Sequence, residues 1–234
     1  MSATTAVIAH RGASAVRKEN TVEAFVEARR LGADMVELDV RRTRDGVLVI
    51  HHDASVPGGG AIVELRHDAL PPWLPTLEQA IDACVGMVVN IEVKSSPLDP
   101  DFDEDRWVAG RVAEQLGERG WRDRVLVSSF DLVSVDRIRA VDDAIPTALL
   151  TLPGFDTREA AATALAHGHR VLHPHDLAVT PDLVAHLHAL GMTVNVWTVD
   201  DPARMHELVE MGVDGICTNV PDVLVQVLTR ADRR

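Results

Sequence analysis

The sequence predicts an α/β fold: a (β/α)8 TIM barrel with a β-hairpin excursion after its second strand and a short insertion, residues 54–75, before its third. Three observations carry this. Strand-like and helix-like segments alternate almost throughout the 234 residues, and eight strands, each followed by a helix, remain once the excursion is set aside. Only six residues separate Val40 from Val47, too few for a parallel crossover, so residues 47–52 must fold back antiparallel. Polar and aromatic residues that alternation turns inward collect at one end of four strands, the end where barrels keep their chemistry. A doubly wound open sheet is the rival, but no G-x-G-x-x-G follows the first strand.

Taken in order, Ala6 to His10 is a short apolar strand, and Asn20 to Leu31 a helix with Val22, Phe25, Val26 and Leu31 at helical spacing. The hairpin of residues 34–53 follows, then a loop with Pro57 and Gly58 to Gly60, read as mobile. Thr76 N-caps a helix to Cys84. Strands are predicted at Met87–Lys94, Arg124–Ser129, Thr147–Thr151, Arg170–His173, Thr193–Thr198 and Gly215–Thr218. Helices are predicted at Phe102–Arg119, Leu132–Val141, Thr157–Ala166, Pro181–Leu190 and Pro202–Met211, with Pro221 opening the last. The tail, TRADRR, is expected to fray.

Asp45-Gly46 is the pair that a two-residue type I′ turn favours. With that turn Arg44 faces Val47, Asp39 lies opposite His52, and period two adds Glu37 to the same face. Alternation sends Ile8 and His10 inward from the first strand and Met35, Glu37 and Asp39 from the second. Asn90, Glu92 and Lys94 point inward from the third, and Thr193, Asn195 and Trp197 from the seventh. Val36, Leu38, Val40, Val89, Ile91 and Val93 face the helices.

Bulk properties narrow the function. At 46% hydrophobic content the chain can bury a sizeable core, and no interior break in composition divides residues 1–234 into two domains. A formal charge of −13 argues against a nucleic-acid partner. Cys84 and Cys217 sit in apolar runs without disulfide or zinc spacing, so buried thiols in a reducing compartment are expected. No signal peptide and no transmembrane segment is evident, and a cytoplasmic location is expected.

Burying Glu37, Asp39 and Glu92 together is costly without a cation among them. Arg11 and Lys94 could supply it as an ion-pair network; a hard divalent cation, Mg²⁺ or Ca²⁺, suits three oxygen donors more naturally. Carboxylates outnumber the His and Cys ligands that zinc would prefer. His10 and His52 flank the cluster, and imidazoles with a reference pKa of about 6.5 can serve as acid and base near neutrality. Arg11 and Lys94 would also bind phosphate oxygens, so the parts suit cleavage of a phosphate ester.

His10-Arg11-Gly12, Glu19-Asn20-Thr21, Glu37-Leu38-Asp39, His52-Asp53, Asn90-Ile91-Glu92-Val93-Lys94, Ser128-Ser129-Phe130, Asn195-Val196-Trp197-Thr198 and the run from Gly212 to Asn219 resemble, in order, the motifs of the glycerophosphodiester phosphodiesterase family. The resemblance covers nearly the whole chain. It implies a barrel related to phosphoinositide phospholipases C and hydrolysis of glycerophosphodiesters to sn-glycerol 3-phosphate and an alcohol. It further implies Glu37, Asp39 and Glu92 as ligands of a divalent metal, His10 and His52 as the acid and base pair, and a cyclic phosphate intermediate. Which histidine begins as base stays open. Trp197 is either barrel packing or an apolar wall for the glycerol backbone, and the mouth-proximal position favours the wall.

Two departures from the family pattern stand out. Lys18 replaces the proline usual before Glu-Asn-Thr, and Ala54 to Pro75 is short and lacks the Arg-Thr-Thr stretch that often follows His-Asp. An open mouth keeps lysophospholipids as an alternative substrate class, and a non-catalytic phosphodiester-binding barrel is the rival outside the enzymes. Among other residues, His51 and His173-Pro174-His175 read as packing or surface. His167, His169, His186 and His188 read as exposed, Asn20 as a helix-start residue near the metal side, and Asp53 as turned away from the cluster.

Overall fold

The computed structural model describes residues 5–231. Eight parallel strands close a barrel: β1 (Ala6–His10), β2 (Met35–Arg42), β6 (Val88–Val93), β7 (Val125–Ser129), β8 (Thr147–Thr151), β9 (Val171–Pro174), β10 (Thr193–Val196) and β11 (Gly215–Thr218). Each pairs with the next, and β1 pairs with both β2 and β11, which closes the ring. Around it lie α1 (Val22–Arg30), α2 (Leu77–Ala83), α3 (Trp107–Arg119), α4 (Leu132–Val141), α5 (Thr157–Ala166), α6 (Pro181–Ala189), α7 (Pro202–Met211) and α8 (Pro221–Ala231). Residues 229–231 of the tail expected to fray belong to α8, and 232–234 lie outside the described residues.

Local chemistry explains most boundaries. Thr76 caps α2 in a reciprocal pair with Gln79, and Thr21, Asp131, Asp156, Thr180 and Asp201 cap other helices by accepting from a backbone N–H. Pro181 and Pro202 occupy the first turn, where a missing N–H costs nothing. Gly12 is required after β1: its φ is +82°, and a Cβ there would stand 2.7 Å from the Ala24 carbonyl carbon. The main core fills the layer between strands and helices, with Val36, Leu38, Val40, Val89, Ile91 and Val93 all buried.

The hairpin departs from its predicted register by one residue. Val40 pairs with Ile50, Arg41 with Val49 and Arg42 with Leu48, the partners of β2 forming β3 (Leu48–Ile50). The loop is Arg44-Asp45-Gly46, because Thr43 N–H donates to Val47 O, the Thr43 hydroxyl accepts from Val47 N–H, and Gly46 takes a φ of +80°. His51, not His52, therefore stands opposite Asp39, its N–H on the Asp39 carbonyl.

The glycine run is not a simple loop. It turns a small hairpin, β4 (Ser55–Val56) with β5 (Gly60–Ala61), and Val56, Ile62 and Leu74 pack with Val49 into a second core. Lys18 caps this insertion, its ammonium 2.9 Å from the centroid of the Trp73 ring, so the departure from proline ties the entry of α1 to the insertion. Helix α3 begins at Trp107 rather than Phe102, because the Asp103 carboxylate accepts from the N–H groups of Asp105 and Trp107 and holds the preceding turn outside the helix.

Candidate active site

Parallel register sets the site. His10 is level with Glu37, Glu37 with Asn90, and Asp39 with Glu92. One oxygen from each of Glu37, Asp39 and Glu92 lies within 4.8 Å of the others, and all three residues are buried. Two cations stand against them. Lys94 Nζ is 2.6 Å from Glu92 Oε1 and 3.3 Å from Asp39 Oδ1, while Arg11 Nε is 3.3 Å from Asp39 Oδ2. Arg11 also donates its backbone N–H to Glu37 Oε2 and its Nη1 to Glu19. Asn20 is buried and donates to Asp39 Oδ2 at 2.7 Å, so it fixes a cluster carboxylate, while Thr21 takes the cap.

Two cations do not satisfy three carboxylates. Glu37 Oε1 is buried without a hydrogen-bond partner. Burial, and then repulsion from Asp39 and Glu92, pushes the Glu37 carboxyl well above its usual range. Burial also raises Glu92. At Asp39 burial pushes up, but Lys94, Arg11 and His52 outweigh it and hold the carboxyl below its usual range. An orphaned carboxylate oxygen in an all-oxygen donor set fits a hard divalent cation.

The two histidines reach this cluster by different routes. His10 projects from the end of β1, with Nε2 4.0 Å from Glu37 Oε2. Its Nδ1 meets Asn219 Oδ1 at 2.7 Å. Asp200 fixes that amide, accepting from Asn219 Nδ2 at 2.6 Å and from the Asn219 and Thr218 donors. Asn219 must therefore turn its oxygen to His10, whose Nδ1 carries the proton and whose Nε2 keeps a lone pair.

His52 lies beyond the end of β3, where the pairing has stopped, and its carbonyl is pinned by Arg41 Nε at 2.9 Å. Buried Arg41 also grips Asp101 and Asp99, which joins the His52 segment to the 95–106 loop. His52 Nδ1 bonds Asp53 Oδ1 at 2.8 Å, so Asp53, expected to turn away, orients this ring. His52 lines a cavity of about 830 Å³ with Glu92 and Lys94. His10, Glu37, Trp197 and again Glu92 line a much smaller space on the lumen side. Glu92 thus faces the spaces lined by both imidazoles.

Trp197 donates its indole N–H to His173 O and meets Phe130 and His175 edge-on, at centroid distances of 5.3 and 4.9 Å. His173, expected as packing or surface, lines the lumen with Glu37; Asn195 Nδ2 is 3.1 Å from its Nε2. Burial holds the ring near a pKa of about 4. The unfolded chain then takes up this proton first as pH falls, so His173 removes stability between about pH 6.5 and pH 4, by about 3 kcal/mol at the low end. His173→Gln should flatten that acid limb in urea titrations run across this range. His169 corrects another expectation: it is buried, held by Thr147 Oγ1 and Asp136.

Sequence reasoning missed Arg41, Asp53 and Asp200. Arg41 continues the inward face of Glu37 and Asp39 by period two, which was a usable signal. Asp200 lies 19 residues from Asn219 with no periodic mark.

Fold and side chains define a (β/α)8 barrel with an acidic, cation-flanked centre beside two oriented imidazoles at its catalytic face. The model of the Glycerophosphoryl diester phosphodiesterase family matches residues 10–61 and 56–223, and the chain belongs to that family. It is 32% identical to a glycerophosphodiester phosphodiesterase of Caldanaerobacter subterraneus subsp. tengcongensis, over 97% of this chain and 98% of that one. A crystal structure of a glycerophosphodiester phosphodiesterase from Parabacteroides distasonis superposes with a TM-score of 0.85 at 29% identity, covering 99% of this chain and all of that one (100%). An Oleispira antarctica phosphodiesterase, solved in complex with its product sn-glycerol-3-phosphate, shares the fold with a TM-score of 0.87 at 24% identity, covering 97% of each chain. Among the described residues no helix is long and apolar enough to cross a membrane.

Proposed function

We propose that this protein hydrolyses glycerophosphodiesters to sn-glycerol 3-phosphate and an alcohol, with Glu37, Asp39 and Glu92 holding a divalent cation, Mg²⁺ or Ca²⁺. The observation that carries this is the meeting of those carboxylates within 4.8 Å, one oxygen orphaned, beside His10 and His52. Family membership and the named relatives support the substrate class. When bound, the cation supplies charge neutralisation at the phosphoryl oxygens.

The remaining roles belong to the chain's own side chains. His10 acts as base: burial, and then the Arg11 charge, hold its pKa below the usual imidazole range, and its Nε2 lone pair is free to take the proton of the glycerol hydroxyl next to phosphorus. That oxygen attacks phosphorus and forms a cyclic phosphate. His52, whose Nδ1–H rests on a carboxylate, protonates the departing alcohol from Nε2, and water then opens the ring with the roles reversed. Arg11 and Lys94 bind phosphate oxygens, Arg by its fork and Lys as a point charge. Trp197 walls the glycerol backbone.

Release of sn-glycerol 3-phosphate from glycerophosphocholine, followed by a coupled dehydrogenase assay, tests the reading; no release with any added divalent cation would refute it. Asp200 acts on the base through Asn219, so Asp200→Ala should lower kcat roughly 10- to 100-fold with little change in KM. Steady-state kinetics of that variant checks the relay, and an unchanged kcat would remove it.

A further inference from the structure

We infer that Arg41, locked to Asp101, is a positioning residue for the departure of the alcohol: it sets where His52 stands when that ring gives up its proton. This deepens the phosphodiesterase reading, on whose acid step it rests, by naming what governs that step from outside it.

His52 has little backbone pairing of its own. The β2–β3 ladder ends at Ile50, the His51 N–H on the Asp39 carbonyl is the last bond along it, and the next backbone bond downstream runs from Ile62 N–H to Ala54 O. Between these, side chains hold the main chain: Arg41 Nε meets His52 O at 2.9 Å, and His51 Nδ1 meets Asp53 O at 2.9 Å. The His52 side chain is 35% exposed, so packing alone does not fix it. Its direction is inherited from the carbonyl that Arg41 grips.

Arg41 is a fixed point because it is buried and bonded on every side. Its side chain is 3% exposed and that of Asp101 is 4% exposed. Nη1 donates to both Asp101 oxygens, at 2.7 and 2.8 Å, and Nη2 to Asp99 Oδ2 at 3.0 Å. A planar fork held this way has one orientation, which leaves Nε aimed at His52 O; an ammonium has no such geometry.

The 95–106 loop does not need this tie for its own sake. Asp131 already fastens it, accepting from Ser95 Oγ and Arg106 Nε, and Asp103 holds the turn into α3. What the clamp adds is a brace across the 830 Å³ cavity, which His52 and Ser55 line from one side and Ser96, Asp99 and Phe102 from the other. An alcohol that takes its proton from His52 leaves into this cavity, so one ion pair sets both the place of the acid and the distance to the facing wall.

The test combines glycerophosphocholine turnover, the first-turnover burst of p-nitrophenolate from a p-nitrophenyl ester of glycerol phosphate, and a double-mutant cycle with His52→Ala. Arg41→Lys should lower kcat on glycerophosphocholine roughly 10- to 100-fold with little change in KM, the scale of a misplacement of about 1 Å. Most of that loss should be absent from the burst, where the leaving group needs no proton. In the His52→Ala background Arg41→Lys should cost nothing further. An unchanged kcat, a loss in the burst where His52→Ala is spared, or losses that multiply in the double variant would each overturn the inference. Asp101→Asn keeps the shape and loosens the fork; it should show the same pattern at smaller size, and it replaces Arg41→Lys if circular dichroism finds that variant unfolded. If His52→Ala loses as much in the burst as in turnover, the acid assignment fails and the cycle alone decides, since it asks only whether Arg41 acts through His52. If no diester is hydrolysed, the phosphodiesterase reading fails. Proton–carbon NMR spectra then decide the clamp: the ring signal that disappears in His52→Ala should move in Arg41→Lys, and an unmoved signal refutes it.

Discussion

Glu37→Gln should lower glycerophosphodiester turnover by roughly 10²–10³-fold or more, and at the same time raise the melting temperature of the metal-free protein. On the proposed mechanism the loss follows from removing a ligand charge from a centre that would neutralise developing phosphoryl charge. The gain in stability follows from the geometry. Glu37 is buried beside Asp39 and Glu92, and Oε1 has no partner, so its charge is a cost to the fold when no cation is bound. A glutamine keeps an oxygen for the Arg11 N–H that Oε2 now accepts, and carries no charge. Thermal melts in chelator and turnover with restored cation read the two effects separately. A purely structural ion-pair network predicts the opposite: lower stability and undiminished turnover.

The next largest effect belongs to the imidazoles. His52→Ala should cost about 10²–10⁴ in kcat on glycerophosphocholine, the usual worth of a positioned proton donor. In the first-turnover burst of p-nitrophenolate from a p-nitrophenyl ester of glycerol phosphate most of that loss should disappear, because the phenolate leaves without a proton and the ring need not yet be opened. His10→Ala should lose a similar factor on both substrates, since the attacking hydroxyl still has to be deprotonated. Identical losses for the two variants on both substrates would dissolve the assignment of His10 as base and His52 as acid, and rescue of His10→Ala alone would reverse it.

What could be read in the chain follows from how local the determining contacts are. Helix α4, helix α5 and strand β8 lie where the periodicity and caps put them, because Asp131 and Asp156 accept from N–H groups two or three residues away. Inward and outward faces were legible as well: alternation alone separates Glu37 and Asp39 from Val36, Leu38 and Val40. The hairpin register was not, since Asp45-Gly46 serves a three-residue loop as readily as a two-residue one. The hydroxyl of Thr43 on Val47 N–H decides between them. His52 still joins the cluster after that slip because Arg41 and Asp53 hold it, through contacts that no alternation describes. The same holds for His169, whose burial depends on Asp136, 33 residues away. The Arg41 clamp reaches 60 residues to Asp101, and neither partner carries a local mark of it.

The cation-centred chemistry is tested most directly by glycerophosphocholine turnover in exhaustively chelated protein, with Mg²⁺, Ca²⁺ or Mn²⁺ returned one at a time. Turnover should vanish on chelation and recover with at least one of these ions. Full turnover in the chelated protein would contradict the assignment of Glu37, Asp39 and Glu92 as ligands.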